Sequence, residues 1–407
     1  MRIRLTIFAL ALASVTFAAS AAPAPTAEPA QRKLNIAKAA LKPLGELQTA
    51  VNANDVANFP AKLAAAQAVA KSPDEKYLVA QLQLKAAAAS KDDAAIGAAL
   101  EAMIASGGAE QAQTPLLYVT LGKIQYKNQQ YAKAASSFES ALAINPAHTD
   151  ALILLAETRK SQGQVNDAVS LMQRAVQARL AAGQAVDESW YKRAIALAYE
   201  AKLPSAIDLS RQWVAAYPTS ANWRDALRVY RKIGNPDESA TLDTLRLARA
   251  TAALDGDSDF HTFAVTASND SSPGEARSVI DEAIAAKQID PNKQIFKDLA
   301  ANLKTKTAMS RDLIPQLTKE AKAAPAARLA VRTGDADYGY GDYAQAAELY
   351  RAAQSKTGAD ANLINLHLGM ALARAGDKAG ATAALKAVTG PRSELAKFWL
   401  IYVATRT

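Results

Sequence analysis

The feature that most constrains this chain is an internal repeat. Six positions beginning at Tyr118 recur 34 residues later, in the same order and with residues of comparable type. The first set is Tyr118, Leu121, Gly122, Ala134, Phe138 and Ala141, and the second is Leu152, Leu155, Ala156, Ala168, Met172 and Ala175. A third copy with a longer entry loop contains Trp190, Ala194, Ala206 and Pro218. A repeat of this length predicts an array of similar units that bury a continuous core between them.

Two further copies lie near the C-terminus, 35 residues apart. The first contains Gly334, Gly341, Asp342, Ala346 and Tyr350, and the second contains Gly369, Gly376, Asp377, Ala381 and Leu385. Apolar residues recur at helical spacing on both sides of a short polar turn, so each copy is expected to form two antiparallel helices. Small residues are expected where the helices approach closely, and a bulky residue where a gap must be filled.

The composition agrees with an all-helical chain. Apolar residues make up 50% of the 407 residues but aromatic residues only 6%, and alanine is by far the commonest type. Alanine is the best helix former and adds little bulk, which favours many closely packed helices. We find no convincing alternating pattern of a β-strand. The absence of cysteine excludes disulfides, thiolate metal sites and cysteine nucleophiles.

Together, the repeated positions resemble the signature of the tetratricopeptide repeat family. The best copy covers residues 115–148, and other clear copies cover 149–182, 187–220 and 326–388. The resemblance implies an all-α fold: a right-handed α-solenoid of antiparallel helix pairs, with a concave face lined by the first helix of each pair. The signature residues to which it assigns structural roles are Tyr118, Leu121, Gly122, Ala134, Phe138, Ala141, Pro146, Ala168, Ala175, Ala206, Gly341, Ala346, Gly369, Gly376 and Ala381.

The segments 32–106 and 221–322 keep the rhythm of helix pairs but lose the signature. We therefore expect one repeat array over 32–250 and another over 257–407, with a hinge at residues 255–259. Whether the two form one superhelix stays open. Residues 393–406 are expected to form a capping helix, and a membrane-surface helix or a docking site is the alternative. Its apolar stripe is Leu395, Phe398, Trp399 and Tyr402.

Three segments have the pattern of a helix start: Ser-Pro-Asp-Glu at 72–75, Asn-Pro-Asp-Glu at 235–238 and Ser-Pro-Gly-Glu at 272–275. In each, the first side chain can accept a hydrogen bond from a backbone N–H, proline fits the first helical position, and glutamate can complete a capping box. We expect these segments to begin helices and to carry no chemistry.

The first residues have the pattern of an export signal. Arg2 and Arg4 precede an apolar run over residues 5–17, and Ala-Ser-Ala at 19–21 matches the small residues before a signal-peptidase cleavage site. Cleavage is expected after residue 21, which leaves an extended Ala/Pro-rich leader over 22–31. No cysteine is present for a lipid anchor, and no later segment is apolar enough to span a bilayer. These features predict an exported, soluble, periplasmic protein of a bacterium.

Residues that could carry catalysis are scattered. His148, His261 and His367 lie in different repeats, so we do not expect them to form a metal site or a catalytic triad. Gly-Tyr-Gly at 339–341 imitates a dinucleotide-binding fingerprint, but no strand precedes it. We interpret it as the turn between two helices of a repeat.

Residues 255–259, Asp-Gly-Asp-Ser-Asp, begin like a calcium-binding loop. The match fails at its two most demanding positions, where Phe260 replaces the glycine and Thr266 the bidentate glutamate. A helix cap or a hinge is the better interpretation. The sequence therefore predicts no metal, no cofactor and no enzymatic activity.

The formal net charge is +8, and the densest basic stretch covers residues 304–322. Since aromatic residues do not interleave with these cations, we interpret the stretch as a solvated helix face and expect no nucleic-acid partner.

An enzymatic alternative is a protein that acts on peptidoglycan. Exported lytic transglycosylases combine an alanine-rich superhelix with a catalytic domain that contains a Glu-Ser pair. Glu-Ser occurs here at 139–140 and 188–189, but inside repeat helices, and no separate catalytic domain follows. An accessory factor for envelope assembly or polysaccharide secretion is a further alternative.

The resemblance places a ligand on the concave face, along the first helices. The residues expected there are Val119, Lys123, Tyr126, Lys127, Ile153, Glu157, Lys160, Tyr191 and Tyr199. For Tyr126 and Tyr199, packing between repeats is an equally good interpretation. Aromatic and long cationic side chains suit a peptide-binding surface. The sequence thus predicts a non-enzymatic scaffold or adaptor of the cell envelope that binds a protein or peptide, with a possible place in an envelope complex.

Overall fold

The computed structural model describes residues 34–270 and 272–406. The export signal and the leader, expected over residues 1–21 and 22–31, lie outside the described residues. Within the described part the chain is helical, and the one β-type pairing is an isolated bridge between Ala326 and Thr357. The predicted all-α fold class is therefore confirmed.

The chain divides into two compact units, which meet between Trp190 and Tyr191. Unit 1, described from residue 34 to residue 190, contains eight complete helices connected by short turns. These are α1 (Lys38–Asn52), α2 (Phe59–Val69), α3 (Pro73–Ser90), α4 (Asp93–Ala105), α5 (Thr114–Lys127), α6 (Tyr131–Ile144), α7 (Thr149–Ser161) and α8 (Val165–Ala181).

Unit 2 extends from residue 191 to residue 406 in the described part. Its helices are α9 (Glu188–Glu200), which begins just before the boundary, then α10 (Ser205–Ala216), α11 (Ser220–Gly234), α12 (Glu238–Ala250), α13 (Gly256–Asn269), α14 (Pro273–Ala285), α15 (Gln294–Ala323), α16 (Ala327–Tyr340), α17 (Tyr343–Gln354), α18 (Ala361–Ala375), α19 (Lys378–Lys386) and α20 (Ser393–Thr405). A 3-10 turn at Gly390–Arg392 precedes α20.

The helix pairs follow the repeat closely. In unit 1, α5 packs against α6 and α7 against α8; in unit 2, α16 packs against α17 and α18 against α19. The alanines of the signature have no exposed surface, which is what close helix contacts require. They are Ala134, Ala141, Ala168, Ala175, Ala206, Ala346 and Ala381. Pro146 lies in the exposed turn after α6.

The turns between paired helices in unit 2 depend on glycine. Gly341 and Gly376 follow α16 and α18 with φ angles of 87° and 91°. This left-handed conformation suits glycine because it has no β-carbon. Gly-Tyr-Gly at 339–341 is thus the end of a helix and its turn, as interpreted from the sequence.

The helix start at 72–75 is a complete capping box. The Glu75 N–H donates to Ser72 Oγ at 3.2 Å, and the Ser72 N–H donates to Glu75 Oε2 at 2.9 Å. Backbone N–H groups of Ser72, Ala37 and Lys71 all point at the Glu75 carboxylate and lower its pKa to about 2. This glutamate therefore ties the segment before α1 to the start of α3.

The other two helix starts correct the sequence-based expectation. Asn235 does not cap α12: it adopts a left-handed φ of 44° after α11, and Asp237 accepts the Ala240 N–H at 2.7 Å instead. Ser272 makes no side-chain capping bond to α14, and Glu275 does not complete a box. Its carboxylate lies in the core instead, where it binds Arg246.

Unit 2 closes on itself through its last helix. α20 packs against α18 and α19, and also against α10 and α12 from the beginning of the unit. Phe398, with no exposed surface, lies between Trp223 and Tyr230, with ring centroids 6.1 and 5.9 Å away. α20 thus covers the last helix pair and also joins the two ends of unit 2.

Residues 255–259, where the sequence suggested a hinge, lie within unit 2. Leu254 and Phe260 belong to one hydrophobic core that extends through unit 2. The aspartates between them form ion pairs with neighbouring helices. The boundary between the two compact units lies between residues 190 and 191, in the first turn of α9.

Candidate functional site

The residues expected to face a ligand in unit 1 lie on two consecutive first helices, α5 and α7. Lys123 and Lys160 are exposed and therefore available to a partner. Lys127 is also exposed, but its Nζ lies 2.5 Å from Asp93 Oδ2 at the start of α4. Ile153 and Glu157 are half-buried on α7. These positions form the candidate first-helix surface of unit 1.

Two of the expected ligand-binding residues are part of the core. Val119 and Tyr191 are each only 1% exposed. Since neither side chain can reach a ligand without local opening, their assignment to a binding face is corrected: they stabilise the packing of α5 and α9. The sequence pattern could not separate a buried position from a lining position one turn away.

The two ambiguous tyrosines differ in their surroundings. Tyr126 packs between repeats: its hydroxyl lies 3.1 Å from Ser161 Oγ at the end of α7, and its ring meets Tyr131 edge-on at 5.3 Å. Tyr199, on α9 in unit 2, is 36% exposed. The packing interpretation therefore holds for Tyr126, and Tyr199 is accessible to solvent.

The most unusual chemistry of the chain is a buried ion network in unit 2, which the sequence did not reveal. Arg246 on α12 contacts Asp243 one turn earlier, with Nη1 2.9 Å from Oδ1. The same guanidinium binds Glu275 on α14, with Nη2 2.8 Å and Nε 3.0 Å from Oε2. This is the arginine that draws Glu275 away from the cap of α14.

The network continues to α16, α17 and α18 through His367. The ring lies between two carboxylates, with Nε2 3.2 Å from Asp243 Oδ2 and Nδ1 2.8 Å from Asp335 Oδ1. Tyr350 Oη donates to Asp335 at 2.7 Å. Side chains from five helices thus meet in one polar cluster.

The electrostatics of the network favour a charged histidine. Burial alone would lower the pKa of His367, but the carboxylates of Asp243 and Asp335 outweigh it and raise the pKa to about 10. Burial would likewise raise the pKa of Asp243, whereas His367 and Arg246 lower it to about 2. The charged side chains are at most 10% exposed, so they hold the helices together without meeting solvent.

Two motifs singled out in the sequence meet beside this network. A β-carbon on Gly339 would lie 2.7 Å from Cβ of Glu275, and one on Gly274 would collide with the ring of Tyr340. The Ser-Pro-Gly-Glu and Gly-Tyr-Gly segments are therefore the two sides of a close contact between α14 and α16. Their glycines allow the two helices to approach closely, and this explains their positions without a bound nucleotide.

The aspartates of the calcium-like segment form ion pairs. Asp255 Oδ2 lies 3.0 Å from Arg224 Nη1, Asp259 Oδ1 lies 3.3 Å from Arg231 Nη2, and Asp257 pairs with Lys293. Within residues 34–270 and 272–406, no group of three or more potential ligand residues is arranged to hold a metal ion. The segment joins α13 to its neighbours.

The remaining candidates have structural partners. His148 caps α7, accepting the Ala151 N–H at Nδ1 over 3.3 Å, and the His261 ring packs 6.4 Å from that of Phe296. Glu139 of the first Glu-Ser pair is about half exposed and paired with Arg159. The carboxylate of Glu139 is thus held in an ion pair at the surface.

The basic stretch lies on α15, and no described helix could cross a membrane. The cations Lys304, Lys306, Arg311, Lys319 and Lys322 are all exposed. This agrees with the interpretation as a solvated helix face. Among the helices of the described part, none is both long and apolar enough to span a bilayer.

The fold defines a class of protein: a helical repeat protein built from packed helix pairs. Residues 125–185, which extend from the end of α5 to just beyond α8, match the model of the family described as tetratricopeptide repeat. This match agrees with the resemblance to tetratricopeptide repeats that the signature positions indicate. No sequence among the curated proteins matches it.

Solved structures similar to the chain include other helical repeat proteins. One is a tetratricopeptide repeat protein from Parabacteroides merdae, with 14% identity over 73% of this chain and 99% of that one, at a TM-score of 0.30. Another is the C-terminal part of a repeat-containing protein from Cytophaga hutchinsonii, with 11% identity over 79% and 98%, at 0.29. A third is Naa15/Naa10 bound to HypK-THB, with 14% identity over 86% and 63%, at 0.33.

Proposed function

We propose that this protein is a non-enzymatic scaffold that binds a protein partner through the first-helix surface of α5 and α7. The observation that carries the proposal is the exposure of Lys123 and Lys160 on consecutive first helices, with the half-buried Ile153 seven residues before Lys160 on the same side of α7. Exposed cations beside an aliphatic side chain suit an acidic segment that also contributes an apolar residue. The partner is therefore proposed to be an acidic peptide or protein segment.

The contacts of the titratable groups support a binding role over catalysis. His367, Asp243 and Asp335 are enclosed in the network, where a substrate has no access. Glu139 is committed to Arg159. A general acid or base must reach the reacting group of its substrate.

The cell envelope is the proposed place of action, and it rests on the export pattern of residues 1–21. If the pattern is cleaved as proposed, the protein purified from its native cells begins at residue 22. Intact-mass measurement and N-terminal sequencing test this. A chain that retains residues 1–21 would contradict the envelope assignment, but not the binding proposal.

The binding proposal is tested by reversing the two exposed charges. We expect Lys123→Glu combined with Lys160→Glu to reduce capture of the partner in cells about tenfold or more, because attraction becomes repulsion at two points. Capture is measured by crosslinking in cells followed by quantitative mass spectrometry.

The matched control is Lys133→Glu, which reverses an exposed charge on α6, a second helix. It should leave capture unchanged, and circular dichroism should show the same helicity for all variants. Partners retained in full by the double variant would contradict the proposed surface.

A further inference from the structure

A second surface of unit 1 has the form of a ligand site. α6 and α8 border an open cleft of about 420 Å³ whose floor is α7. Leu142, Leu155 and Leu171 line it and are buried, so its base is apolar. The volume falls in the range of sites that hold small ligands or short peptide segments, roughly 300–1,000 Å³. Lys123 and Lys160 do not belong to its lining, so the cleft is distinct from the first-helix surface.

The charged groups on the rim of the cleft are of two kinds. Arg159 is fully engaged: it pairs with Glu139, and its Nη1 donates to Gln162 and Gln164 at 3.1 and 2.9 Å. Asp167 and Arg174, both exposed on α8, form no ion pair with any residue of the described part of the chain. One anion and one cation are thus available to a ligand.

The spacing of these two charges sets the length of a fitting ligand. Asp167 and Arg174 are seven residues apart on one helix, so they point to the same side with about 10 Å between their positions along the axis. Ser170 and Leu171 lie between them on the lining. A peptide in the polyproline II conformation rises about 3.1 Å per residue with three residues per turn, so its side chains three positions apart lie on the same side, about 9 Å apart.

We infer that the cleft between α6 and α8 binds a peptide segment in the polyproline II conformation, with a basic and an acidic residue three positions apart and an aliphatic residue between them. The basic group pairs with Asp167, the acidic group pairs with Arg174, and the aliphatic side chain rests on Leu142, Leu155 and Leu171. The inference goes beyond the proposed function, since it concerns second helices and a ligand with both charges.

The test uses the full chain and four blocked tetrapeptides: Lys-Leu-Ala-Glu, Lys-Leu-Ala-Lys, Glu-Leu-Ala-Glu and Lys-Ser-Ser-Glu. Dissociation constants come from NMR titration. The first peptide should bind about tenfold more tightly than each of the others, because only it satisfies both charges and the apolar floor.

Charge reversal at the rim should switch this preference. With Arg174→Glu both rim charges are negative, so Lys-Leu-Ala-Lys should become the tightest ligand. With Asp167→Lys both rim charges are positive, so Glu-Leu-Ala-Glu should become the tightest ligand. Lys133→Glu, on α6 but outside the lining, is the matched control and should keep the original order.

Three results would overturn the inference: no measurable binding of Lys-Leu-Ala-Glu, equal affinity for all four peptides, or an unchanged order in Arg174→Glu with its helicity intact. The double variant Lys123→Glu and Lys160→Glu separates this site from the proposed function. It should bind Lys-Leu-Ala-Glu normally even when capture of the protein partner is lost.

Discussion

Gly122 on α5 lies directly against the ring of Phe138 on α6: a β-carbon at position 122 would stand 2.5 Å from Cε1 of that ring. The same relationship, sixteen residues apart, recurs twice in unit 2. There Gly334 faces Tyr350 at 2.8 Å and Gly369 faces Leu385 at 2.5 Å, measured in the same way. In these three helix pairs, the repeat signature is therefore a contact between a glycine of the first helix and a large side chain of the second.

This contact predicts the effect of adding one methyl group. Gly122→Ala should destabilise unit 1 by about 1–3 kcal/mol, because Phe138 is fully buried and cannot move aside without opening the core. Gly45→Ala is the control, since nothing lies within 4 Å of a β-carbon at that helical position. It should stabilise by up to ~1 kcal/mol. Chemical denaturation followed by circular dichroism measures both, and equal effects would contradict the packing argument.

The buried ion network predicts a strong dependence on His367. His367→Gln leaves Asp243 and Asp335 without the charge between them, and this should destabilise unit 2 by about 3–5 kcal/mol. Adding Asp335→Asn should recover part of the loss, because one uncompensated carboxylate is removed. Unfolding of unit 2 can be followed by the fluorescence of Trp213, Trp223 and Trp399. If the effects of His367→Gln and Asp335→Asn on the free energy of unfolding simply added, the contact between the two side chains would contribute no interaction energy.

The same network predicts how stability changes at high pH. The pKa of His367 is raised to about 10 in the folded state. A raised pKa means that the charged form is favoured by folding, so this contribution is fully present below the unfolded pKa of about 6.5 and is lost as the pH rises through about 10. Thermal unfolding between pH 6 and pH 11 should show the decline in the wild type and a flatter profile in His367→Gln. Parallel profiles would argue against a charged His367.

Asp337 on α16 should also lower stability as the pH rises, but over a more acidic range than His367. Its side chain is 1% exposed, and within the described residues its Oδ2 has no hydrogen-bond partner. Burial, with Asp342 nearby, raises the pKa of Asp337 to about 6. Its charge therefore costs stability above about pH 6 and costs nothing below about pH 4. Asp337→Asn should stabilise unit 2 by about 1–3 kcal/mol at pH 8 and by almost nothing at pH 3.5. A gain that is independent of pH would refute this account.

The closure of unit 2 depends on α20. Phe398→Ala should cost about 3–5 kcal/mol, since it removes a fully buried ring that contacts Trp223 and Tyr230. Lys397→Ala, one residue earlier but exposed, removes only a surface pair with Glu394 and should change stability by less than ~0.5 kcal/mol. Differential scanning calorimetry of the full chain distinguishes the two. Similar melting temperatures for both variants would mean that α20 is not needed to close the unit.

Much of the fold could be predicted because the repeat signature consists of residues that are close to each other in the chain. The helical period, the small residues at 134 and 141 and the glycines at 341 and 376 each report a requirement of one helix pair. These requirements depend on residues within about one repeat of each other, so a single sequence displays them. The exposure of Lys123 and Lys160 agrees with the first-helix pattern for the same reason.

The network around His367 could not be predicted in this way. His367 and Asp243 are 124 residues apart, and neither belongs to a local motif. Glu275 was misassigned to a helix cap, since its pattern suits a cap equally well and its true partner, Arg246, lies on another helix. Val119 was misassigned for a related reason: burial depends on which neighbour covers a helix face, and the repeat period does not state this.

The sequence by itself thus determined the repeating unit of this protein: antiparallel helix pairs in which alanine and glycine permit close approach and one bulky residue fills the gap. Tertiary structure alone decided how unit 2 closes through α20, which charges are buried in its core, and where unit 1 leaves a cleft between α6 and α8. The physical reason is the range of the interactions. Helix formation and pairing act between residues close in the chain, whereas ion pairing and burial depend on the packing of helices from distant repeats.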